Sequence, residues 1–346
     1  MLQPENKPRK QALLELFPVD EGGLDEREFT RIHKCVLGII GSSLLEELNI
    51  STANINDQDN TGRTPLFWAC AREDEKSVRL LLQFGAKQIS SGKIGAKASP
   101  LHAASKAGHG EIARQLLLHG ADVNFKGEAD MTPLFFAAAE HDGNSCVDVL
   151  LEYGADINAQ DNERRTPLLA ATQAGMLETS RKLLEHGAEI DHRAEDGWTS
   201  LASCIFWNMH DSILLLPEWD ADYTIKTDDG ESVLHIAAQF SDLDTLELLR
   251  DAGMGGLDPG ALNESGKSAA EVAEARAEDE AWYTAFQSMI ESVRQTPERT
   301  DRGRAPGYLG KTDSNIKPPC GFLERVVELS DTESEEIVFE DALENF

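Results

Sequence analysis

The chain has 346 residues, 40% of them hydrophobic and 27% charged, so it is long enough for about two ordinary domains and apolar enough to bury a core. Its 62 acidic and 32 basic side chains give a formal net charge of −30, which repels phosphate backbones and anionic lipid and disfavours direct nucleic-acid or membrane binding. No apolar run is long enough to span a bilayer, and residues 1–10 lack the apolar stretch of a secretory signal. We therefore expect an intracellular protein, in the cytoplasm or the nucleus, and not a secreted one.

The first part of the chain precedes the clear copies of a repeated unit. Residues 1–27 have no regular apolar pattern and are predicted to be flexible. Phe29–Leu48 predicts two short amphipathic helices, which begin with a degenerate copy of the repeat at Thr30.

A short phrase then recurs along the chain at nearly constant spacing. Its clearest copies are Thr64-Pro65-Leu66-Phe67-Trp68-Ala69, Ser99-Pro100-Leu101-His102-Ala103-Ala104, Thr132-Pro133-Leu134-Phe135-Phe136-Ala137 and Thr166-Pro167-Leu168-Leu169-Ala170-Ala171. The Thr or Ser that opens each copy stands at positions 30, 64, 99, 132, 166, 199, 232 and 268, which are 33 to 36 residues apart. A second phrase, such as Leu117-Leu118-His119-Gly120-Ala121-Asp122, keeps step with the first.

Each copy predicts a pair of helices. Thr or Ser before Pro is a helix start, because the hydroxyl caps free amides and Pro needs no donor in the first turn. The spacing of Ile112, Leu116 and Leu117 predicts a second, amphipathic helix, and Gly120 follows its last turn. Such a unit cannot bury its apolar face alone, so we expect the copies to stack on one another.

Both phrases resemble the ankyrin-repeat family, whose T-P-L-H-x-A signature and period of about 33 residues they follow. The resemblance implies an all-α solenoid of stacked helix–turn–helix units with finger-like turns, about eight units over residues 28–295, the first and last being degenerate caps. It also implies that His102 and His235 tie helix starts to turns. Members of the family usually bind proteins on the finger turns and the exposed side of each first helix.

Two places depart from the pattern, and the last copy ends in a cap. Gln88–Ala98 replaces the usual Asp-x-Asn turn by a Gly/Ser/Lys loop. Pro217 lies within the leucines of a second helix and is expected to end that helix early. Glu271–Arg294 predicts a final helical segment that closes the stack, with an acidic outer face.

The C-terminal part has a different composition. Residues 296–321 are rich in Pro and Gly and predict a flexible linker. The tail, 322–346, has nine acidic residues and one basic residue and is expected to be disordered when free. Within it Val326, Val327 and Leu329 precede Ser330, Thr332 and several acids, which resembles a SUMO-interaction motif beside acidophilic-kinase sites. The alternative is a plain solubilising tail.

In chain order, the residues on the predicted partner face are first mostly basic and then acidic and aromatic. The candidates are Arg63, Arg72, Lys106, Lys126, Met131, Arg164, Arg165, Glu195, Asp196, Trp198, Phe206, Trp207, Trp219, Asp228, Asp229, Glu231 and Phe240. Aromatic rings at positions that a solvated repeat fills with polar groups indicate a binding surface. The alternative is that Phe206 and Trp207 fill space left by a helix that Pro217 shortens.

No pattern predicts catalysis, a metal or a cofactor. The five cysteines lie far apart without a C-x-x-C pair, and no histidine has a neighbour at metal-ligand spacing. Gly266-Lys267-Ser268 lacks the earlier glycine and the buried strand of a phosphate loop.

We therefore predict a non-enzymatic, monomeric scaffold or adaptor that binds proteins and no nucleic acid. Three alternatives remain: a nuclear regulator recruited through SUMO or a SUMO-modified protein, an enzyme with an embedded site, and a tail that folds back onto the arginines of the partner face.

Overall fold

Paired helices make up the described part of the chain. The computed structural model describes residues 29–50, 54–88, 97–140, 145–252, 254–276 and 279–296, which form sixteen α-helices and no β-strand. The helices follow one another as eight pairs, as the repeat predicts. The first helices are α1 (Arg31–Val36), α3 (Pro65–Ala71), α5 (Pro100–Lys106), α7 (Pro133–Glu140), α9 (Pro167–Gln173), α11 (Ser200–Phe206), α13 (Val233–Phe240) and α15 (Ala269–Arg276). The second helices are α2 (Leu44–Ile50), α4 (Glu75–Gln83), α6 (Gly110–Leu118), α8 (Ser145–Glu152), α10 (Leu177–Glu185), α12 (His210–Glu218), α14 (Leu243–Asp251) and α16 (Glu280–Gln295).

The repeated Thr or Ser starts the first helices as predicted. The Thr64 hydroxyl accepts a hydrogen bond from the Phe67 amide (3.3 Å), and Pro65 occupies the first turn, where no donor is needed. Leu66 and its neighbours in α3 are buried. The same hydroxyl-to-amide bond begins α9 and α11.

A residue with a left-handed backbone conformation follows the second helix and ends it. Gly154 follows α8 with φ 80°, a conformation that glycine adopts without a side-chain clash. Asp220 holds the equivalent position after α12, with φ 62°.

The pairs stack in two layers. Every first helix contacts the first helix of the next pair, and the second helices contact one another along most of the array. The buried apolar side chains fall into two clusters, one over the first five pairs and one over the last three. Ile190 packs against both clusters, and the Ser212 hydroxyl donates to the Thr172 carbonyl (2.9 Å) between the fifth and sixth pairs.

The loops between pairs end in tight turns that are bonded to one another. Each turn, here called a fingertip, is five residues long and is closed by a hydrogen bond from its first amide to its last carbonyl. The fingertips are residues 59–63, 127–131, 161–165, 194–198, 227–231 and 263–267. From 127–131 onward each is joined to the next; for example, the Asp228 amide donates to the Asp196 carbonyl (2.8 Å). The result is a ridge with backbone links every 33 residues or so.

Two predictions of local structure need correction. The α12 helix is not ended early by Pro217: it runs to Glu218 and is as long as α10. A proline this near the end removes only one backbone bond, and the buried Leu215 and Leu216 hold the last turn in the stack. The closing cap is two helices, α15 and α16, rather than one segment. The predicted flexible segment 1–27, the core of the 88–98 loop, the predicted linker from 297 onward and the tail lie outside the described residues.

Candidate protein-binding surface

Four of the predicted aromatic residues lie together. Phe206 is in contact with Trp198, Trp207 and Phe240, at ring-centroid distances of 5.5, 4.9 and 4.4 Å. We call Trp198, Phe206, Trp207 and Phe240 the aromatic patch. Phe240 belongs to the seventh helix pair and the other three to the sixth, so the patch bridges two neighbouring units.

The elements that carry these rings explain why they meet. Trp198 is the last residue of fingertip 194–198, one position before the Thr199 cap of α11. Phe206 and Trp207 are the last residue of α11 and the residue that ends it, and Phe240 is the last residue of α13. Because α11 and α13 pack side by side, Phe206 and Phe240 meet at their C-terminal ends, and the Trp198 ring reaches Phe206 from the fingertip that precedes α11.

The patch is confined to these two pairs. Trp207 and Phe240 both stand eight positions after the helix cap, where the earlier pairs have Arg72, Ala107, Glu140 and Ala174. Phe206 stands seven positions after the cap, where the other capped pairs from the second to the seventh have Ala71, Lys106, Ala139, Gln173 and Gln239. The sixth and seventh pairs therefore carry large rings where their neighbours have small or polar side chains.

The patch is at the surface rather than in the core. Trp207 is 39% exposed, and the other three rings are half-buried and pack against the C-terminal cluster. Since α12 keeps its full length despite Pro217, there is no shortened helix whose space Phe206 and Trp207 would have to fill.

Asn208 links the sixth pair to the seventh beside the patch and is not among the predicted residues. Its side-chain oxygen accepts bonds from the Asp242 amide (2.9 Å) and the Thr245 hydroxyl (3.0 Å), and its amide donates to the Phe240 carbonyl (3.2 Å). Its backbone is left-handed, φ 55°, like that of Glu73 and Gly108 at the equivalent turn of other pairs. An Asn at a left-handed turn position, where two other pairs have Gly108 and Gly175, is the signal that the sequence offered.

Acidic side chains lie on the fingertip that carries Trp198 and on the next fingertip. Glu195 and Asp196 lie three and two positions before Trp198, and Asp228 and Asp229 form the tip of the next finger; all four are exposed. Arg193 donates to the Asp228 carboxylate (2.6 Å) and to the Lys226 carbonyl (3.2 Å). No ion pair within the described ranges involves Glu195, Asp196 or Asp229.

Gly197 allows the two fingers to approach so closely. It has φ 76°, and a β-carbon there would lie 2.7 Å from the Asp228 carboxylate and 2.9 Å from the Asp228 amide. Only glycine meets both demands, because a left-handed backbone strains other residues and no space remains for a side chain.

Three of the four predicted arginines make contacts within the chain that stabilise the fold. Arg63 lies over the rings of Phe67 and Trp68, and Arg72 donates to the Val36 carbonyl of the preceding pair (3.0 Å). Arg165 donates to the buried Asp161 carboxylate (2.8 Å) within its own fingertip. Arg164 is exposed at that fingertip and contributes its carbonyl to a bond with the His192 ring (3.0 Å).

The predicted residues Trp219, Lys106 and Lys126 make their contacts outside the patch. Trp219 ends α12, at the position that Tyr153 holds in an earlier pair, and packs against the N-terminal cluster. Lys106 forms an ion pair with Glu140 (3.4 Å), and Lys126 one with Asp130 (3.8 Å). The tail residues Val326, Val327, Leu329, Ser330 and Thr332 lie outside the described residues.

The histidines of the repeat act as ties, as predicted. The His102 ring accepts from the Ser99 amide (3.2 Å) at Nδ1 and donates from Nε2 to the Met131 carbonyl (3.1 Å) on the next fingertip. His235 makes the same two contacts with Ser232 and Lys267, and His33 makes them with Thr30 and Arg63. Burial lowers the pKa of His102 to about 4, so the ring is neutral and its tautomer is fixed.

Two buried cysteines of the described part of the chain are unreactive. Burial raises the pKa of the Cys146 thiol to about 11 and that of Cys204 to about 12, so both are protonated and inert at neutral pH. Within the described ranges, no three His, Cys, Asp or Glu side chains stand close enough to hold a metal ion. No helix there is both long and apolar enough to cross a bilayer.

Comparisons with known proteins agree on one family. A family model described as ankyrin repeats (3 copies) matches residues 32–127, 88–161 and 134–227, more than half of the chain. Transient receptor potential cation channel subfamily A member 1 of Homo sapiens is 33% identical over 145 residues, which are 41% of this chain and 13% of the channel subunit. Ankyrin repeat domain-containing protein SAT10 of Stachybotrys chartarum is 27% identical over 220 residues, 61% of this chain and 11% of SAT10.

A solved structure shows the same architecture. The human ASB11 ankyrin repeat domain has a TM-score of 0.57 and 29% identity, and the match covers 66% of this chain and 98% of that domain. The two curated relatives are much longer than the regions that match, since the chain spans only 13% and 11% of their lengths. The likeness is therefore one of the repeat array.

Proposed function

The chain belongs to the ankyrin-repeat family, and on that premise we propose that it is a non-enzymatic scaffold or adaptor that docks a partner protein on the aromatic patch. Ankyrin repeats are generally protein-interaction modules, so protein binding is the function that the fold supports. The finer statement concerns where the partner docks. We also propose that the protein works inside the cell.

The observation that carries the proposal is the cluster of rings around Phe206. Tryptophan supplies much of the binding energy at interface centres, where partner atoms exclude water from its ring. Trp207 is 39% exposed and is supported from one side by Phe206, so it is held in place before a partner arrives. A side chain that is already ordered loses less entropy on binding.

The position of the patch also favours a partner. It combines rings at the C-terminal ends of two first helices with Trp198 from a fingertip, and the family uses both elements for docking. Eight positions after the helix cap, the sixth and seventh pairs have large rings. Stacking itself does not require these rings, because the third and fifth pairs have Ala107 and Ala174 there and also stack on their neighbours.

The test is affinity capture from a lysate of the cells that make the protein, with quantitative mass spectrometry. The bait is the full chain, as the natural sequence and as the double variant Phe206→Ala/Trp207→Ala. The matched control is Leu118→Ala, which removes a 67%-exposed apolar side chain from α6. Circular dichroism on all three baits shows that the array is folded.

We expect partners that the natural chain and the Leu118→Ala chain capture equally and that the double variant captures at least tenfold less. Tenfold corresponds to about 1.4 kcal/mol, well within what an interface tryptophan supplies. The same proteins captured to the same extent by all three baits would contradict the proposal.

The acidic tail supports a second candidate role, recruitment through SUMO or a SUMO-modified protein. Val326, Val327 and Leu329 give the short apolar run of such a motif, and Ser330 and Thr332 stand among the acids that follow it. Titration of the full chain with SUMO, followed by the same titration after deletion of 322–346, tests this role. Equal binding with and without the tail would exclude it.

A further inference from the structure

We propose that the partner segment that occupies the aromatic patch is cationic: a stretch of chain with Lys or Arg side chains on either side of one apolar anchor. This inference rests on the proposed function and adds the chemistry of the occupant. It is carried by the charges around the patch and by the rings themselves.

The fingertips beside the patch are strongly acidic. Fingertips 194–198, 227–231 and 263–267 contain six acidic residues and one basic residue, Lys267. The flanking bases Arg193 and Lys226 reduce the excess to three negative charges, and Arg193 already lies on Asp228. A ridge of like charge with unpaired carboxylates raises the local concentration of a cationic partner.

Backbone bonds hold these acids close to the rings. The Ala194 amide donates to the Trp198 carbonyl (2.8 Å), so Glu195 and Asp196 lie on the same short turn as a patch residue. The bond from the Asp228 amide to the Asp196 carbonyl then places the second acidic tip directly beside the first. An occupant that lies along the patch from Trp207 through Phe206 to Trp198 therefore reaches these carboxylates at the Trp198 end.

The rings favour the same occupant. The face of an indole ring carries negative electrostatic potential and attracts Lys and Arg. The chain uses this interaction internally, since Arg63 lies 5.4 Å from the Trp68 ring centroid and Arg276 lies 4.5 Å from that of Trp282. Rings and carboxylates thus favour a positive charge, while the exposed apolar area favours one apolar side chain beside it.

Two other occupants have the wrong charge. The tail, 322–346, has nine acidic residues and one basic residue, so the acidic fingertips repel it. A second copy of the chain brings a net charge of −30 to a surface that is itself negative. A cationic segment of another protein is the occupant that charge complementarity selects.

The probe for this inference is a library of random dodecapeptides displayed on phage and selected on the full chain. The tightest peptide is then synthesised with a fluorophore, and its affinity is measured by anisotropy. The variants neutralise unpaired fingertip acids in one chain: Glu195→Gln, Asp196→Asn and Asp229→Asn. The matched control neutralises three exposed acids of the second helices: Glu185→Gln, Asp211→Asn and Glu247→Gln.

We expect the selected peptides to carry net positive charge and at least one aromatic or large aliphatic residue. The fingertip variant should bind the tightest peptide at least fivefold more weakly than the control variant does. The affinity of the natural chain should fall severalfold between about 0.05 and about 0.5 M salt, because exposed charges are screened over that range.

The outcomes separate this inference from the proposed function. Enriched peptides that are neutral or acidic, or equal affinity for the fingertip and control variants, overturn the cationic occupant alone, provided that Phe206→Ala/Trp207→Ala still abolishes binding. Peptides that bind the double aromatic variant as tightly as the natural chain, or a library in which nothing is enriched, overturn both.

Discussion

The neutral ring of His102 shows how a single residue links neighbouring units. Nδ1 accepts a bond from the cap of its own helix while Nε2 donates to the next fingertip, so one ring fixes both the helix start and the loop that follows. Protonation would place a hydrogen on Nδ1, where the Ser99 amide already donates. Burial opposes the charge as well, which is why the pKa of this ring is lowered.

This residue predicts a pH dependence of stability. The folded-state pKa, about 4, lies below the usual 6.5, so the stabilisation is complete above pH 6.5 and is lost as the pH falls from 6.5 through 4. Between pH 7 and pH 5 we expect the natural chain to lose about 2 kcal/mol more than His102→Gln does, measured by urea unfolding. The control is His119→Gln, an exposed ring, whose loss should equal that of the natural chain. Equal losses for all three chains would contradict the role given to His102.

The turn between α11 and α12 is the element on which the patch depends. Asn208 combines the left-handed backbone that this turn requires with three bonds to the end of α13 and the start of α14. A glycine, such as Gly108 in the third pair, provides only the backbone. The sixth pair thus gains a link to the seventh, and the link ends at the Phe240 carbonyl, beneath the patch.

A matched pair of substitutions tests this turn. Asn208→Gly keeps the backbone conformation and removes the bonds, so we expect the free energy of unfolding to fall by about 2 kcal/mol. Glu73→Gly makes the same replacement at the equivalent left-handed turn, φ 58°, where the side chain is exposed, and should leave stability unchanged or slightly higher. Urea unfolding followed by circular dichroism gives both values. A loss of stability in Glu73→Gly as large as in Asn208→Gly would contradict the stabilising role given to the side-chain hydrogen bonds of Asn208.

The elements that the sequence predicted well are those set by local chemistry. Thr64 and Pro65 predict a helix start because the cap and the first turn are made by adjacent residues. The sequence could not show that Arg165 turns inward to Asp161 while Arg164 stays exposed, because adjacent side chains on a turn differ only in direction. The prediction that Pro217 ends α12 early is wrong for a related reason. The effect of a proline depends on how near the helix end lies and on the packing of Leu216, and the proline itself specifies neither.

At the scale of the whole molecule, the stack separates stability from binding. Each pair is stabilised by its neighbours, so the positions at the helix ends and fingertips are free to vary from pair to pair. The sixth and seventh pairs use that freedom for large rings and acids. The patch also lies on the C-terminal core cluster, which the first five pairs meet at Ile190.

The contact between partner and patch is measured most directly by hydrogen–deuterium exchange of the full chain, with and without the partner that it captures most strongly. We predict slower exchange at 194–198, 206–210 and 227–231 and no change at 100–140. The same partner added to Phe206→Ala/Trp207→Ala should slow exchange nowhere in the array. Slower exchange confined to 100–140, or the same slowing in the double variant, would contradict the account.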